Sequence, residues 1–250
     1  MLCFSGGLDS LIAWYIAEKP ACLYVKLGHR YEMKELSAVK RLTARNSMSM
    51  MIDASVPCYG RVWEKDDDEI PNRNFLLAML AVNHGADVVL MAFNRGEVNN
   101  PSNDRSPEFM AQASMVLSHM AGRKITVSSP VLNMTKTMAV SWFISRFDPK
   151  ILLDTVSCFS PTSIGTVKHC GECSSCFRKF IALDYNTILT DHYFRAKPYN
   201  WEGVPGYLQG IRTGKYDVER RIEMLSVLSK YQGGKYFRMV QSVRKEVGTV

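Results

Sequence analysis

Three apolar residues, Leu2-Cys3-Phe4, run without a spacer into Ser5-Gly6-Gly7-Leu8-Asp9-Ser10, and a helical apolar pattern follows through Leu11, Ile12, Trp14, Tyr15 and Ile16. A strand that ends in a glycine pair and enters a helix at once leaves few folds open, and such a junction usually has something bound. Gly6 and Gly7 can take positive φ and leave no side chain between backbone and ligand. Successive N–H groups then point into a concave nest, backed by the partial positive charge of the helix N-terminus. Ser5 and Ser10 add hydroxyl donors, and the whole favours phosphate oxygens. The turn has no Gly-Lys-Ser/Thr and no Gly-x-Gly-x-x-Gly, which excludes a Walker loop and a dinucleotide fingerprint. Asp9 narrows the chemistry. A carboxylate beside phosphates repels them unless Mg²⁺ bridges the two, so metal–pyrophosphate chemistry is expected. In a purely structural turn, Asp9 or Ser10 would instead cap the helix.

Strand and helix patterns alternate downstream. Ala21 to Val25 and Met48 to Asp53 read as strands, with a helix from Met33 to Asn46 between them. Residues 54–72 read as a polar loop carrying the acidic run Asp66 to Glu69. The helix "NFLLAMLAVNHG" closes at Gly85, and the strand "DVVLMAF" follows. A polar loop from Asn94 to Ser106 leads to a helix opened by Pro107, then to the strand "KITVSSP" and the helix "TKTMAVSWFISRF". Near-continuous apolar strands alternating with helices imply an α/β fold, a buried parallel sheet doubly wound with helices on both faces. Ligands bind such sheets at the carboxyl ends of the strands, where the opening hexapeptide lies.

The cysteines divide into two sets. Cys3, Cys22 and Cys58 are scattered, whereas Cys158, Cys170, Cys173 and Cys176 crowd together. In a reducing compartment such a cluster means metal more often than disulfides. Four thiolates satisfy tetrahedral Zn²⁺, and Gly171 lets a tight knuckle turn two sulfurs inward. His169 is a competing ligand. With four cysteines no position stays open for water, so the site reads as structural. No run approaches the roughly 18 apolar residues of a membrane helix. The polar stretch Ser5 to Ser10 breaks any signal-peptide pattern, so a cytoplasmic protein is expected. The net charge of +7 suits polyanions but equally a nucleotide-binding enzyme, and direct nucleic-acid contact is not favoured.

Ser5-Gly6-Gly7-Leu8-Asp9-Ser10 resembles the PP-loop of the ATP pyrophosphatases, which activate a carboxyl or carbonyl group by adenylation. Three further stretches are similar to the 7-cyano-7-deazaguanine synthase branch of that family. "LGHRYEMKEL" carries Gly28, Arg30, Glu32 and Glu35; "IPNRNFLLAMLA" carries Arg73 and Asn74; and residues 156–183 match its C-terminal zinc segment, a lone cysteine followed by Cys-Gly-x-Cys-x-x-Cys and an arginine. Lys136 falls where the family has a lysine. The resemblance covers residues 1–184. It implies a Rossmann-like PP-loop fold in which Ser5, Gly6, Gly7, Leu8, Asp9, Ser10, Gly28, Arg30 and Asn74 bind ATP–Mg²⁺. Asp9, Ser10, Arg73 and Lys136 would carry the catalysis. The implied reaction adenylates 7-carboxy-7-deazaguanine, forms the amide with ammonia and dehydrates it to the nitrile.

The loop after "DVVLMAF" should hold the purine. Asn94, Arg105, Pro107, Glu108 and Phe109 match the family pattern, but its aspartate becomes Glu97, its aromatic residue is gone and Ser106 is inserted. Glu97 or Asp104 could still read the amidine-like edge of a deazaguanine. These departures keep open an enzyme that stops at the amide or couples the acyl-adenylate to another amine. A non-catalytic nucleotide- and zinc-binding scaffold is a further alternative. The expected organisation is an ATP-binding domain over residues 1–150, a four-cysteine zinc segment over 151–184 and a basic helical extension over 185–250. Helices "DVERRIEMLSVLSKY" and "KYFRMVQSVRKEV" in that extension would pack on the body or on a second subunit; the resemblance implies a homodimer, since members of that family often dimerise.

Overall fold

The computed structural model of the chain describes residues 1–66, 69–97, 104–160, 169–189 and 193–248. In chain order its elements are β1 (Leu2–Cys3), α1 (Leu8–Ile16), β2 (Cys22–Val25), α2 (Glu32–Asn46), β3 (Met50–Asp53), α3 (Tyr59–Trp63), α4 (Arg73–Asn83) and β4 (Val88–Leu90). There follow α5 (Pro107–Ala121), β5 (Thr126–Ser128), α6 (Lys136–Ile144), α7 (Ser174–Tyr185), α8 (Val204–Arg212), α9 (Val218–Ser229) and α10 (Phe237–Glu246).

The five strands form one parallel sheet in the order β3-β2-β1-β4-β5. Leu2 pairs with Cys22 on one side and with Leu90 on the other, so β1 is central. Alternation along β2 shows how both faces are buried. Cys22 and Tyr24 enter a core with Leu11 and Ile12 of α1, Val39 and Leu42 of α2, and Val140 and Phe143 of α6. Leu23 and Val25 enter a second core with Ala78 and Ala81 of α4 and Met110 and Leu117 of α5. The expected doubly wound architecture is therefore observed. The chain runs outward from β1 to β3, then crosses back to β4 on the other side of β1. That reversal leaves a crevice beyond the carboxyl end of β1.

Two expectations of local structure are corrected. The stretch 54–72 is not wholly loop: α3 interrupts it, packed so closely on Leu27 and His29 that a Cβ on Gly60 would sit 3.0 Å from His29. The strands are not uniformly buried either. Met51 and Ile52 of β3 are 41% and 44% exposed, because β3 is a sheet edge.

After α6, which still packs on the sheet, the chain turns to a further core. Phe177, Phe180 and Ile181 of α7 form a third core with Val204 and Leu208 of α8, Met224 and Leu228 of α9, and Val240 and Val243 of α10. The C-terminal helices thus pack against one face of α7. Among the described residues no helix is long and apolar enough to cross a membrane.

Candidate active site

Gly6 sits at φ +72°, and a Cβ there would lie 3.1 Å from both Ala38 Cβ and Val39 N. The glycine pair lets the turn after β1 lie against α2 and then start α1. Ser10 Oγ donates to Gly7 O at 3.0 Å, and Gly7 N–H donates to Ser5 Oγ at 3.3 Å. No side chain caps α1, although Ser106, Thr135 and Asp217 cap α5, α6 and α9. An uncapped first turn behind a positive-φ glycine matches what phosphate oxygens require.

This turn opens on a cavity of about 540 Å³ at the carboxyl edge of the sheet. Ser5, Gly7, Asp9, Ser10, Arg73, Asn74, Arg105 and Lys136 all reach its wall. Residues from four separate stretches of sequence therefore meet at the switch point. Asp9 Oδ2 is paired with the Lys136 ammonium, and Asp9 Oδ1 accepts from Asn94 Nδ2 at 3.4 Å. Lys136 is the first residue of α6, so that helix aims its leading side chain at the glycine turn. Arg73 Nη1 donates to Tyr31 Oη at 3.3 Å. Burial works against the Arg73 charge, but Tyr31, Glu35 and Asp104 outweigh it and raise its pKa. Burial, with Glu35 second, pushes the Tyr31 phenol up to about 12. Asn74 is buried and holds the backbone of Asp104 through Nδ2, at 3.3 Å from its carbonyl oxygen. Burial also pushes the Cys3 thiol up to about 12, so the one cysteine on this wall is neutral at pH 7.

Other expected residues lie away from the cavity. Leu8 starts α1 with a fully buried side chain in the first core, so only its backbone faces the turn. Gly28 is a packing position: φ is +77°, and a Cβ would fall 2.1 Å from Pro57 O. Arg30 turns outward onto the Lys65 carbonyl and Glu64, at 2.7 and 3.3 Å. Phe109 packs edge-to-face on Phe93 within the second core, and Glu108 is exposed in the first turn of α5. Asn94 borders a smaller second cavity that shares Lys136 with the first. Glu97 ends the 3-10 turn Arg95–Glu97; its side chain, like residues 98–103 of the same loop, lies outside the described residues.

The sequence reading missed four neighbours. His29 and Tyr31 line the cavity, with His29 Nε2 3.2 Å from Glu35 Oε2. Ser174 and Arg178 of α7 also reach its wall. Arg178 is the arginine that follows the fourth clustered cysteine in the matched zinc segment, which was the available signal for it; nothing local marks the others.

The four cysteine sulfurs lie within 4.8 Å of one another, and Cys170 Sγ is 3.7 Å from Cys176 Sγ. That spacing fits a tetrahedron of Zn–S bonds near 2.3 Å. Backbone N–H groups of Cys170, Glu172 and Cys176 donate to Cys158, Cys170 and Cys173 at 3.3 to 3.4 Å, as thiolates at a metal knuckle require. Gly171 makes the turn at φ +82°, where a Cβ would lie 2.1 Å from Ala196 O. The buried Lys34 places Nζ 3.8 Å from Cys158 Sγ, where it would offset the negative charge that four thiolates leave on a bound divalent ion. His169 is turned the other way: Nε2 accepts from Ser157 N–H at 3.1 Å, and the ring stacks on Tyr193. It is not a fifth candidate.

The sequence model for queuosine biosynthesis protein QueC matches residues 61–186. Among curated relatives, a 7-cyano-7-deazaguanine synthase of Persephonella marina is 26% identical over 222 residues, covering 77% of this chain and 95% of the relative. One from Pyrococcus horikoshii is 23% identical over 218 residues, covering 72% and 90%; one from Colwellia psychrerythraea is 28% identical over 168 residues, covering 64% and 72%.

Proposed function

The chain belongs to the family of queuosine biosynthesis protein QueC, and from that premise we propose that it is an ATP-dependent ligase converting 7-carboxy-7-deazaguanine and ammonia into 7-cyano-7-deazaguanine. One observation carries the reading. The uncapped glycine turn, the Asp9–Lys136 pair and Arg73 face a single cavity at the switch point of the sheet. Nothing about the glycine turn alone would require two cations opposite it; phosphate leaving groups would.

In this reading the substrate carboxylate attacks the α-phosphorus of ATP and pyrophosphate leaves. Ammonia then displaces AMP from the acyl-adenylate to give the amide. A second adenylation, on the amide oxygen, lets AMP depart as the nitrogen loses its protons and the nitrile forms. The N–H groups at the start of α1 and the Ser5 and Ser10 hydroxyls hold phosphate oxygens. Lys136 and Arg73 stabilise the charge that builds on the departing groups. Asp9 offers the hard oxygen donor for Mg²⁺, which would neutralise the phosphates when bound. Lys136 now shares that carboxylate, so nucleotide binding would free the ammonium to turn toward phosphate. No enzyme nucleophile is needed, in keeping with a neutral Cys3.

The test is to incubate the protein with ATP, Mg²⁺, ammonium and 7-carboxy-7-deazaguanine, then measure pyrophosphate and weigh the product. A nitrile product is expected. An amide end product would mean that chemistry stops one step earlier, and absence of acid-dependent pyrophosphate would overturn the ligase reading. Asp9→Asn should lower turnover on the order of 100-fold, the scale of removing one electrostatic group from such a site.

A further inference from the structure

The family match ends at residue 186, and α8 to α10 lie beyond it. Those helices do more than cover α7, because α9 reaches two parts of the candidate site at once. Glu223, 7% exposed, accepts a hydrogen bond from Thr135 Oγ1 at 2.6 Å. Thr135 is the N-cap of α6, and the same hydroxyl oxygen accepts from Met138 N–H at 3.1 Å. By accepting the hydroxyl's hydrogen bond, Glu223 leaves the oxygen lone pairs to the helix. The next residue is Lys136, whose ammonium is paired with Asp9. A carboxylate from the extension is thus linked through one hydroxyl to the start of the helix that presents the cavity's lysine.

One turn earlier, α9 clamps the loop after β4. Arg220 Nη1 donates to Gly96 O at 2.9 Å. Arg95 is paired with Asp217 at 3.5 Å and with Glu219 at 3.4 Å. Gly96 permits this approach, since a Cβ there would meet Arg220 Nη1 at 2.9 Å. Asn94, which donates to Asp9, lies in the same loop. Arg220, Glu223 and Met224 also wall the small second cavity together with Asn94, Thr135 and Lys136.

We propose that α9 completes the active site, with Glu223 a positioning residue for Lys136 and Arg220 a positioning residue for the substrate loop that begins at Asn94. This rests on the adenylating reading above. The two links act on different steps. Lys136 meets charge that builds in the transition state, so loss of Glu223 should act on kcat. Asp104 and Arg105, at the far end of that loop, line the cavity where the acid would bind, so loss of Arg220 should act on KM for that substrate.

The full chain serves for the test. Glu223→Ala should lower kcat for acid-dependent pyrophosphate release at least about 10-fold with KM for 7-carboxy-7-deazaguanine unchanged. Glu223→Gln, which keeps a carbonyl oxygen for Thr135, should recover most of that loss. Arg220→Ala should raise KM for the acid at least about fivefold with kcat held. Hydrogen exchange in residues 134–140 should quicken in Glu223→Ala and not in Arg220→Ala. Wild-type kcat in Glu223→Ala, or equal loss in the alanine and glutamine variants, would overturn the role of Glu223. If wild-type protein releases no pyrophosphate with this acid, the ligase reading fails by itself. Hydrogen exchange then decides: faster exchange over residues 134–140 in Glu223→Ala with recovery in Glu223→Gln supports the link to Lys136, and unchanged exchange overturns it. Should Glu223→Ala not fold, Thr135→Ala interrogates the same link from its other end.

Discussion

Gly6 and Asp53 show how single residues here answer to backbone and charge. At Gly6 an alanine would bring a left-handed φ and a Cβ 3.1 Å from the backbone of α2. Gly6→Ala should cost about 1–2 kcal/mol in denaturant unfolding, the penalty for an L-residue in that region, and should weaken ATP binding as well. Asp53 ends β3 and accepts Ser55 N–H at 2.6 Å and His84 Nε2 at 2.6 Å. Hydrogen bonds from Ser55, ahead of the smaller contribution of His84, hold its carboxyl below the usual range. Stability from a depressed carboxylate is present above the unfolded value near 4 and is lost as pH falls through the folded one. Asp53→Asn should therefore destabilise on the order of 1 kcal/mol at pH 7, and the gap from wild type should close below about pH 4.

The four-cysteine cluster and the helix it starts form one element. Cys173 caps α7, Cys176 lies in its first turn, and Ser174 and Arg178 carry that turn to the cavity wall. Zinc removal should thus loosen the cavity as well as the knuckle. Purified protein should carry about one equivalent of Zn²⁺, as a closed four-thiolate site does. Chelation or Cys176→Ser should lower the melting midpoint by roughly 6–12 °C for a loss of about 3 kcal/mol. Retention of zinc by the serine variant would sink the four-cysteine assignment. Element α8 shows why a helix can be hidden in sequence. Pro205, Gly206 and Gly210 read as breakers. Yet Pro205 falls in the first turn, where its missing N–H costs nothing, and a Cβ on Gly210 would lie 2.6 Å from the Tyr216 ring.

At the scale of the whole molecule, sheet and extension are joined through α7. Its Leu183 enters the first core, while Phe177 and Phe180 enter the third. Phe177 is fully buried, so Phe177→Ala should cost about 3–5 kcal/mol and shift urea unfolding of the whole chain rather than of the extension alone. Two separate transitions would show that the extension folds apart from the sheet. A buried lysine marks the same junction: Lys179 Nζ donates to Thr155 O and Oγ1, both at 2.7 Å, and burial drives its pKa well below the ordinary lysine value.

Sequence alone determined the strand–turn–helix at residues 2–16, the alternation that winds a parallel sheet on both faces, and the four-cysteine knuckle. These are local: glycine φ, apolar period and ligand spacing act within a few residues of chain. The pairing of Asp9 with Lys136, the outward turn of Arg30, the arrival of His29, Tyr31 and Arg178 at the cavity, and the reach of Glu223 to Thr135 were decided only by tertiary structure. Each depends on where two distant segments come to lie when the apolar faces are buried, and no local preference of either segment carries that information.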